Sequence, residues 1–179
     1  MGTDKAFLPI GEERLIDRTI GTFKDIFSDV MVVTNTPLDY IDQDCTIATD
    51  IIKGKGALGG IYTGLFYAPC DHAFITACDM PFLNKNFIEY MIERCNNDHD
   101  IVIPELPEGF QPLHAIYSRR CLPAIKRMIG QDKLKITGFY KGLKTAVIPE
   151  KVIRQFDSEG KMFLNVNTQK EFKEVLLLS

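Results

Sequence analysis

An apolar segment of this sequence reads His72-Ala73-Phe74-Ile75-Thr76-Ala77 and is followed directly by Cys78-Asp79-Met80-Pro81. A largely continuous apolar run of this length is typical of a β-strand that is buried on both faces. The strand has to end near Asp79, because a carboxylate aimed out of a buried strand is costly unless it finds a partner. The segment therefore predicts an inner strand with an acidic residue beyond its carboxyl end.

The rest of the chain alternates between strand-like and helix-like segments. Further strands are predicted at 30–34, 45–49, 100–104, 113–117 and 145–148. Helical periodicity covers 15–27, 61–67 and 119–129, a loop covers 53–60, and two more helices are predicted after the N-cap residues Asn84 and Thr168. This alternation predicts one domain over residues 1–179, with a three-layer α/β/α Rossmann-like fold and a mostly parallel sheet.

The composition excludes several classes of protein. The 179 residues carry a formal charge of −3, so the chain lacks the basic surface that wraps nucleic acid. No apolar run approaches the roughly 20 residues that a membrane span needs, and no signal peptide is recognisable. Five scattered cysteines and three separated histidines predict neither a disulfide framework nor a histidine metal site. We therefore expect a cytoplasmic protein with no nucleic-acid or membrane partner.

Polar side chains directly follow three of the predicted strands. They are Asn35, Asp50 and Asp79. Ligands of open α/β sheets bind at the carboxyl ends of the strands, so these residues suit a nucleotide. Mg²⁺ binds through one or two carboxylates together with substrate phosphates, which makes Asp79 the candidate metal ligand. The alternative interpretation of Asp79 is a carboxylate that caps the following turn.

Two further features are compatible with phosphate binding. The segment Gly2-Thr3-Asp4-Lys5 is similar to the end of a phosphate loop, in which backbone amides and a lysine hold anionic oxygens. Glycines at 54, 56, 59 and 60 would let the backbone approach a ligand closely. A solvated lysine and an ordinary loop before a helix are the alternative interpretations.

Five sequence blocks, in order along nearly the whole chain, resemble the signature of one family. They are Met1-Gly2-Thr3-Asp4-Lys5-Ala6, Ala57-Leu58-Gly59-Gly60-Ile61, Ala77-Cys78-Asp79-Met80-Pro81-Phe82-Leu83, Gln111-Pro112-Leu113-His114-Ala115-Ile116-Tyr117 and Phe163-Leu164-Asn165-Val166-Asn167-Thr168. Each block is short enough to occur by chance, whereas the ordered set is specific. The chain resembles the molybdenum cofactor guanylyltransferases, nucleotidyltransferases that build a dinucleotide form of the molybdenum cofactor.

This resemblance implies a transferase that joins GTP to molybdopterin with Mg²⁺ and releases pyrophosphate. It assigns the catalytic roles to Lys5, which would contact the nucleotide phosphates, and to Asp79, which would bind the Mg²⁺ that bridges them. It assigns Asn35 and Asp50 to the base. A carboxylate at Asp50 favours GTP over CTP, because the Watson–Crick edge of guanine presents N–H donors. Other proteins of molybdenum cofactor biosynthesis, or recipient molybdoenzymes, are the candidate protein partners.

The resemblance also implies a site for the pterin substrate. Pro112 and His114 belong to the block that faces it, and Asn165 and Asn167 match family positions near it. Local roles compete with this assignment, because Asn165 can bond neighbouring backbone and His114 can be a satisfied, half-buried imidazole.

The chain departs from the family pattern at its start. Members of the family begin with an apolar strand and a loop that reads Leu-Ala-Gly-Gly-x-Ser-x-Arg, and neither precedes Met1. The resemblance therefore predicts a sheet that lacks its first strand. We favour a start assigned to an internal methionine over a truncated chain or a substitute segment. Ala57 also stands where the family usually has proline.

Two other functions fit the sequence. Among enzymes, a CTP-dependent or another cofactor or sugar-phosphate nucleotidyltransferase would use the same sheet. Outside enzymes, a chain without the glycine-rich loop would be an inactive binding module. A nucleotide competition assay with Mg²⁺ separates GTP from CTP, and turnover of GTP with molybdopterin would refute the binding module.

Overall fold

A computed structural model describes residues 5–176 and shows strands and helices in alternation. The strands are β1 (Pro9–Ile10), β2 (Glu13–Arg14), β3 (Met31–Val33), β4 (Thr46–Ala48), β5 (His72–Thr76), β6 (Ile101–Leu106), β7 (Gly109–Phe110), β8 (His114–Ser118) and β9 (Thr145–Pro149). The helices are α1 (Leu15–Lys24), α2 (Gly56–Tyr67), α3 (Lys85–Arg94), α4 (Leu122–Gly130), α5 (Glu150–Phe156) and α6 (Gln169–Leu176). The α/β architecture predicted from the sequence is confirmed.

The main sheet has five strands. β5, β8, β6 and β7 lie side by side in that order, and β9 also pairs with β6. β5 and β6 are both antiparallel to β8, while β9 is parallel to β6, so β5, β6 and β9 run in one direction. Ile116 of β8 lies between Phe74 of β5 and Val102 of β6 in the register. The acidic residue after β5 therefore emerges at the end of the sheet where β6 and β9 also end.

Helices cover both faces of the main sheet, which explains why its strands are apolar on both sides. Ala115 and Tyr117 of β8 pack with residues of α2 and α4. Ile116, between them, packs with residues of α3 and α5. Successive strand residues point to opposite faces, so each helical layer receives every second side chain. This arrangement provides the three layers that the alternating sequence predicts.

A second, smaller sheet consists of β3 and β4, which are parallel with Val32 opposite Ile47. Ile16 and Ile20 of α1 pack in one cluster with these two strands. Within residues 5–176, β3 pairs only with β4, and β5 pairs only with β8. A groove of about 720 Å³ lies between β3 and β5 and is also lined by residues of α1 and α2. One edge of β3 and one edge of β5 thus face this groove without a strand partner among the described residues, and the absence of a first strand stays a prediction.

Three of the predicted helices have different bounds in the structure, and the first, α1, ends at Lys24 rather than at residue 27. α2 begins at Gly56, inside the segment predicted as a loop. Gly56 has a φ of +54°, which closes the turn before the helix, and the later glycines continue as helix because α2 is packed in the core. The helix predicted at 119–129 divides into a 3₁₀ turn at Arg119–Cys121 and α4. Pro123 lies in the first turn of α4, where its missing N–H costs no hydrogen bond.

Both predicted helix caps are confirmed. Asn84 Oδ1 accepts the Phe87 N–H at 3.0 Å, at the start of α3. Thr168 Oγ1 accepts the Glu171 N–H at 3.1 Å, at the start of α6. In the part of the chain that the structure describes, no helix is long and apolar enough to cross a membrane.

Candidate active site

Asn35 and Asp50 lie together beyond the carboxyl ends of β3 and β4. The Asn35 side-chain amide donates to Asp50 Oδ2 at 2.8 Å. The other oxygen, Asp50 Oδ1, is buried and has no hydrogen-bond partner among the described residues. A buried acceptor without a partner is costly in free energy, so this oxygen is well placed to accept an N–H from a ligand. The structure thus brings together the two residues that the resemblance assigns to the base.

The loop after Asp50 lies tightly against the first turn of α2. The Ile51 N–H donates to Thr63 Oγ1 at 3.0 Å, which anchors the loop to the helix. A Cβ atom at Gly59 would lie 3.2 Å from the Ile52 carbonyl oxygen and 3.2 Å from Lys55 Cβ. Glycine at 59 therefore allows a close approach within the protein, in contrast to the ligand approach considered from the sequence.

Asp79 follows β5 and lines the groove between β3 and β5. Its Oδ1 atom is buried and has no partner in residues 5–176, so this oxygen does not cap the following turn. Its backbone carbonyl accepts the Val166 N–H at 2.8 Å. The peptide on the carbonyl side of Asp79 is therefore held by the C-terminal segment, while one carboxylate oxygen is left available.

The described residues test how a metal ion would be held. Among them, no group of three or more His, Cys, Asp and Glu side chains is arranged to bind a metal. The described residues therefore contain no site at which protein side chains alone supply the metal ligands. The unpartnered Oδ1 of Asp79 fits the way in which Mg²⁺ binds nucleotide enzymes, through one carboxylate together with phosphate oxygens and water. The role of Asp79 as a ligand of Mg²⁺ stays a prediction, with which this geometry is compatible.

Lys5 and Asn167, which are 162 positions apart in the chain, are in direct contact. The Lys5 ammonium donates to Asn167 Oδ1. Within the described residues, no carboxylate forms an ion pair with Lys5, so its positive charge faces a neutral amide. Val166, next to Asn167, is buried with Ile10 and Leu15 and also holds the Asp79 carbonyl. One short segment therefore contacts both Lys5 and Asp79.

The structure places His114 in the core. The imidazole is fully buried, with its ring centroid 5.0 Å from that of Phe74, 5.8 Å from that of Phe87 and 5.1 Å from that of Phe163. Neither ring nitrogen has a partner among the described residues, and burial lowers the pKa of His114 to about 3. The ring is neutral and is not the half-buried, satisfied imidazole considered from the sequence.

The other residues predicted for the pterin side lie in two places. Pro112 precedes β8, and its carbonyl accepts the Tyr117 hydroxyl at 2.8 Å. Asn165 is exposed, and Asn167 is exposed beside Lys5. The structure thus associates Asn167 with the lysine assigned to phosphates, while Pro112 supports the fold through its backbone. A role toward the pterin stays a prediction for all four residues, Pro112, His114, Asn165 and Asn167.

Sequence reasoning missed one residue that bears on this geometry. Glu171 Oε2 accepts the Asn167 N–H at 2.7 Å, just before α6. The signal was present, because Thr168 and Glu171 have the spacing of a helix capping box. In that pattern the glutamate reaches back to the backbone at the helix start, and here it reaches the residue before Thr168.

The fold and the site together define a class of protein. An α/β sheet with acidic and amide side chains beyond the carboxyl ends of its strands is the arrangement in which such sheets bind nucleotides. The model of the MobA-like NTP transferase domain matches residues 1–146, which is most of the chain. The chain belongs to this family, and the resemblance recognised in the sequence is confirmed.

Named relatives agree with this assignment. A molybdenum cofactor guanylyltransferase of Desulfosudis oleivorans is 40% identical over 173 residues, which cover 97% of this chain and 86% of that protein. A molybdenum cofactor guanylyltransferase of Syntrophotalea carbinolica is 34% identical over 176 residues, which cover 97% of this chain and 83% of that protein.

Solved structures show the same fold. The molybdopterin-guanine dinucleotide biosynthesis protein A of Archaeoglobus fulgidus superposes with a TM-score of 0.84 at 24% identity, over 99% of this chain and 93% of that one. The 2-C-methyl-D-erythritol 4-phosphate cytidylyltransferase of Thermus thermophilus superposes with a TM-score of 0.71 at 14% identity, over 98% of this chain and 94% of that one. The fold is therefore shared with a cytidylyltransferase, so the fold alone does not identify the nucleotide.

Proposed function

We propose that this protein transfers GMP from GTP to molybdopterin and releases pyrophosphate. The observation that carries the proposal is the buried, unpartnered Oδ1 of Asp79, in a sheet-end site whose C-terminal segment also contacts Lys5. A carboxylate and a lysine held by one segment suit a nucleotide triphosphate with its Mg²⁺. The family match and the names of the relatives support the same reaction.

The proposed reaction requires charge neutralisation and alignment rather than a protein nucleophile. A terminal phosphate oxygen of molybdopterin forms a bond to the α-phosphorus of GTP, while the bond to the β-phosphate breaks and pyrophosphate leaves with the electron pair. Both substrates are anionic, so positioning and electrostatics are the main sources of rate. Lys5 would bind phosphate oxygens, and Asp79 would hold Mg²⁺. Bound Mg²⁺ supplies positive charge to the phosphates.

The pair Asn35 and Asp50 would select the base. Asp50 Oδ2 already accepts from Asn35, which leaves the unpartnered Oδ1 as an acceptor for guanine N–H groups. The Watson–Crick edge of cytosine presents one amino donor beside acceptors, which a carboxylate repels. This arrangement favours GTP over CTP, although the fold also occurs in a cytidylyltransferase.

The role of Asp79 is tested by Asp79→Asn, with Asp71→Asn as a matched control at the exposed, opposite end of β5. Turnover of GTP with molybdopterin is measured in the presence of Mg²⁺. We expect Asp79→Asn to lower kcat/KM on the order of 100-fold, because it removes the negative charge that holds the metal. The control should stay close to wild type. Full activity of Asp79→Asn would contradict the assignment.

The choice of base is tested by Asp50→Ala, with Asp44→Ala as a control because Asp44 is an exposed carboxylate just before β4. The ratio of kcat/KM for GTP to that for CTP should fall about 100-fold in Asp50→Ala and stay unchanged in the control. An unchanged ratio in Asp50→Ala would refute this role, and a wild-type preference for CTP would refute the proposed substrate.

The proposal also covers cellular context. We place the reaction in the cytoplasm with Mg²⁺ as the metal, and with cofactor-biosynthesis proteins or recipient molybdoenzymes as protein partners. No disulfide joins the cysteines of the described residues, which suits a reducing compartment. The protein partners are tested by affinity capture in a cell that makes molybdoenzymes. Capture of neither cofactor-biosynthesis proteins nor molybdoenzymes would contradict the proposed partners.

A further inference from the structure

The C-terminal segment Val166–Glu171 is a bridge between the two residues proposed to act on the phosphates. Val166 donates its N–H to the Asp79 carbonyl at 2.8 Å, and its buried side chain packs with Ile10 and Leu15. Asn167 accepts the Lys5 ammonium through Oδ1. The segment is therefore fixed on the Asp79 side by packing and a backbone hydrogen bond. The contact of the segment with Lys5 depends on what holds Asn167 in place.

Glu171 holds Asn167. Its Oε2 accepts the Asn167 N–H at 2.7 Å, a short distance typical of a charge-assisted hydrogen bond. Its own N–H donates to Thr168 Oγ1 at 3.1 Å, so the first turn of α6 is closed around this contact. Glu171 is half-buried and Asn167 is exposed, so little other packing restrains the Asn167 side chain.

We propose that Glu171 is a positioning residue for Lys5, acting through Asn167. This inference rests on the proposed function, in which Lys5 binds nucleotide phosphates. Glu171 makes no contact with Lys5 in the described contacts, and its effect passes from its carboxylate to the Asn167 backbone and then through the Asn167 amide to the ammonium. The contact orients the ammonium before the nucleotide arrives.

The physical reason lies in the lysine side chain. A lysine ends in a compact charge on a flexible four-carbon chain, and fixing that chain costs conformational entropy. An exposed Lys5 that was free to rotate would meet this cost when the phosphates bind. Because Asn167 already restrains the ammonium, part of the cost is met on folding. Removal of Glu171 transfers the cost back to the binding and chemical steps.

A purely structural role for Glu171 predicts a different result. If the carboxylate only caps α6, its loss lowers the stability of the helix and leaves the folded enzyme with normal kinetics. The control Glu174→Ala separates the two roles, because Glu174 lies one turn further along α6 and forms an exposed ion pair with Lys170 at 3.6 Å. Both substitutions remove one negative charge from the same helix, but only one removes the contact with Asn167.

The first experiment compares Glu171→Ala, Glu171→Gln and Glu174→Ala in the full chain. We expect kcat/KM for Mg·GTP to fall about tenfold in Glu171→Ala, since a misplaced group far from the chemistry costs this much or more. Glu171→Gln should recover to within about threefold, because the amide oxygen still accepts the Asn167 N–H. Glu174→Ala should match wild type. Equal losses in Glu171→Ala and Glu174→Ala would overturn the inference.

The second experiment repeats Glu171→Ala in an Asn167→Ala background. If Glu171 acts through the Asn167 side chain, its removal should change kcat/KM less than twofold once that side chain is gone, while the loss in thermal stability persists. A tenfold kinetic loss that persists in the Asn167→Ala background would overturn the inference. Where Glu171→Ala does not fold, Glu171→Ser replaces it, because serine is too short to reach the Asn167 backbone and suits a first helical turn.

A third measurement separates this inference from the proposed function. The NMR signals of the Asn167 side-chain amide report its contact with Lys5 in the absence of any nucleotide. They should shift in Glu171→Ala toward their positions in Lys5→Ala, and stay at wild-type positions in Glu174→Ala. Unshifted signals in Glu171→Ala overturn the positioning role. If Glu171→Ala shows these shifts but the wild-type protein binds no Mg·GTP, the positioning role is supported and the proposed function is overturned.

Discussion

The five-stranded sheet and the β3–β4 pair support the site in different ways. The five-stranded sheet is covered by helices on both faces, and its inner strands β6 and β8 have partners on both edges. The β3–β4 pair has α1 on one face and turns one edge of β3 to the groove that also borders β5. Asp79 follows a strand of the first sheet, while Asn35 and Asp50 follow the strands of the second.

This difference shows which contacts hold the site together. No ladder of hydrogen bonds joins β3 to β5 in residues 5–176, so backbone pairing does not set the distance from Asp79 to Asp50. α2 packs against both β3 and β5 and receives the loop after Asp50 through Thr63. The Asp50 side and the Asp79 side are therefore connected by packing through helices, on α2 and also where Phe23 of α1 and Phe27 contact Phe74 of β5.

The largest expected effect compares the same truncation in each sheet. Ile103→Ala removes a fully buried side chain from β6, and Ile47→Ala removes a half-buried one from β4. We expect Ile103→Ala to lower the free energy of unfolding by about 3–4 kcal/mol and Ile47→Ala by about 1–2 kcal/mol, because the cost grows with burial and with the cavity left behind. Urea unfolding measures both. Equal losses would mean that the two sheets are equally well packed.

The second effect comes from His114 in the five-stranded sheet. The buried ring has a pKa of about 3, below its value of about 6.5 in an unfolded chain. The unfolded state therefore takes up a proton as the pH falls below about 6.5, while the folded state stays neutral until about pH 3. Stability present above pH 6.5 is lost across this window, by roughly 3 kcal/mol at pH 4.5.

The control for this pH dependence is His114→Phe, which keeps an aromatic ring among Phe74, Phe87 and Phe163 and removes the titration. Urea unfolding at pH 7.5 and pH 4.5 gives the loss for each protein, and other titrating groups contribute equally to both. Between pH 7.5 and pH 4.5, the free energy of unfolding should fall further in the wild-type protein than in His114→Phe. The difference should equal the contribution expected from His114. Equal losses would show that the ring is accessible to protons in the folded state.

The smallest expected change in the free energy of unfolding concerns two adjacent glycines of α2, the helix that packs against both β3 and β5. A Cβ atom at Gly60 has no neighbour within 4 Å, whereas one at Gly59 meets the Ile52 carbonyl oxygen and Lys55 Cβ at 3.2 Å. Gly60→Ala should raise the free energy of unfolding by about 0.5–1 kcal/mol through better helix propensity. Gly59→Ala should lower it by about 1 kcal/mol, because crowding exceeds that gain. Thermal unfolding of both variants, with opposite shifts in Tm, checks the contrast.

Local patterns predicted some parts of the site. The rule that polar residues collect at the carboxyl ends of parallel strands places Asn35 near Asp50, and the structure joins them at 2.8 Å. The caps at Asn84 and Thr168 follow from side-chain chemistry within a few residues. The start of α2 at Gly56 was not predictable in this way, since packing outweighs the low helix propensity of glycine.

By itself, the sequence determined the class of fold, the family and the chemical types of the site residues. These depend on periodicity, composition and short motifs, which are properties of neighbouring residues. Only the tertiary structure decided that Lys5 meets Asn167 and that His114 lies among three phenylalanine rings. Such contacts join residues that are distant in the chain, and the packing of whole elements sets them. No local pattern records that packing.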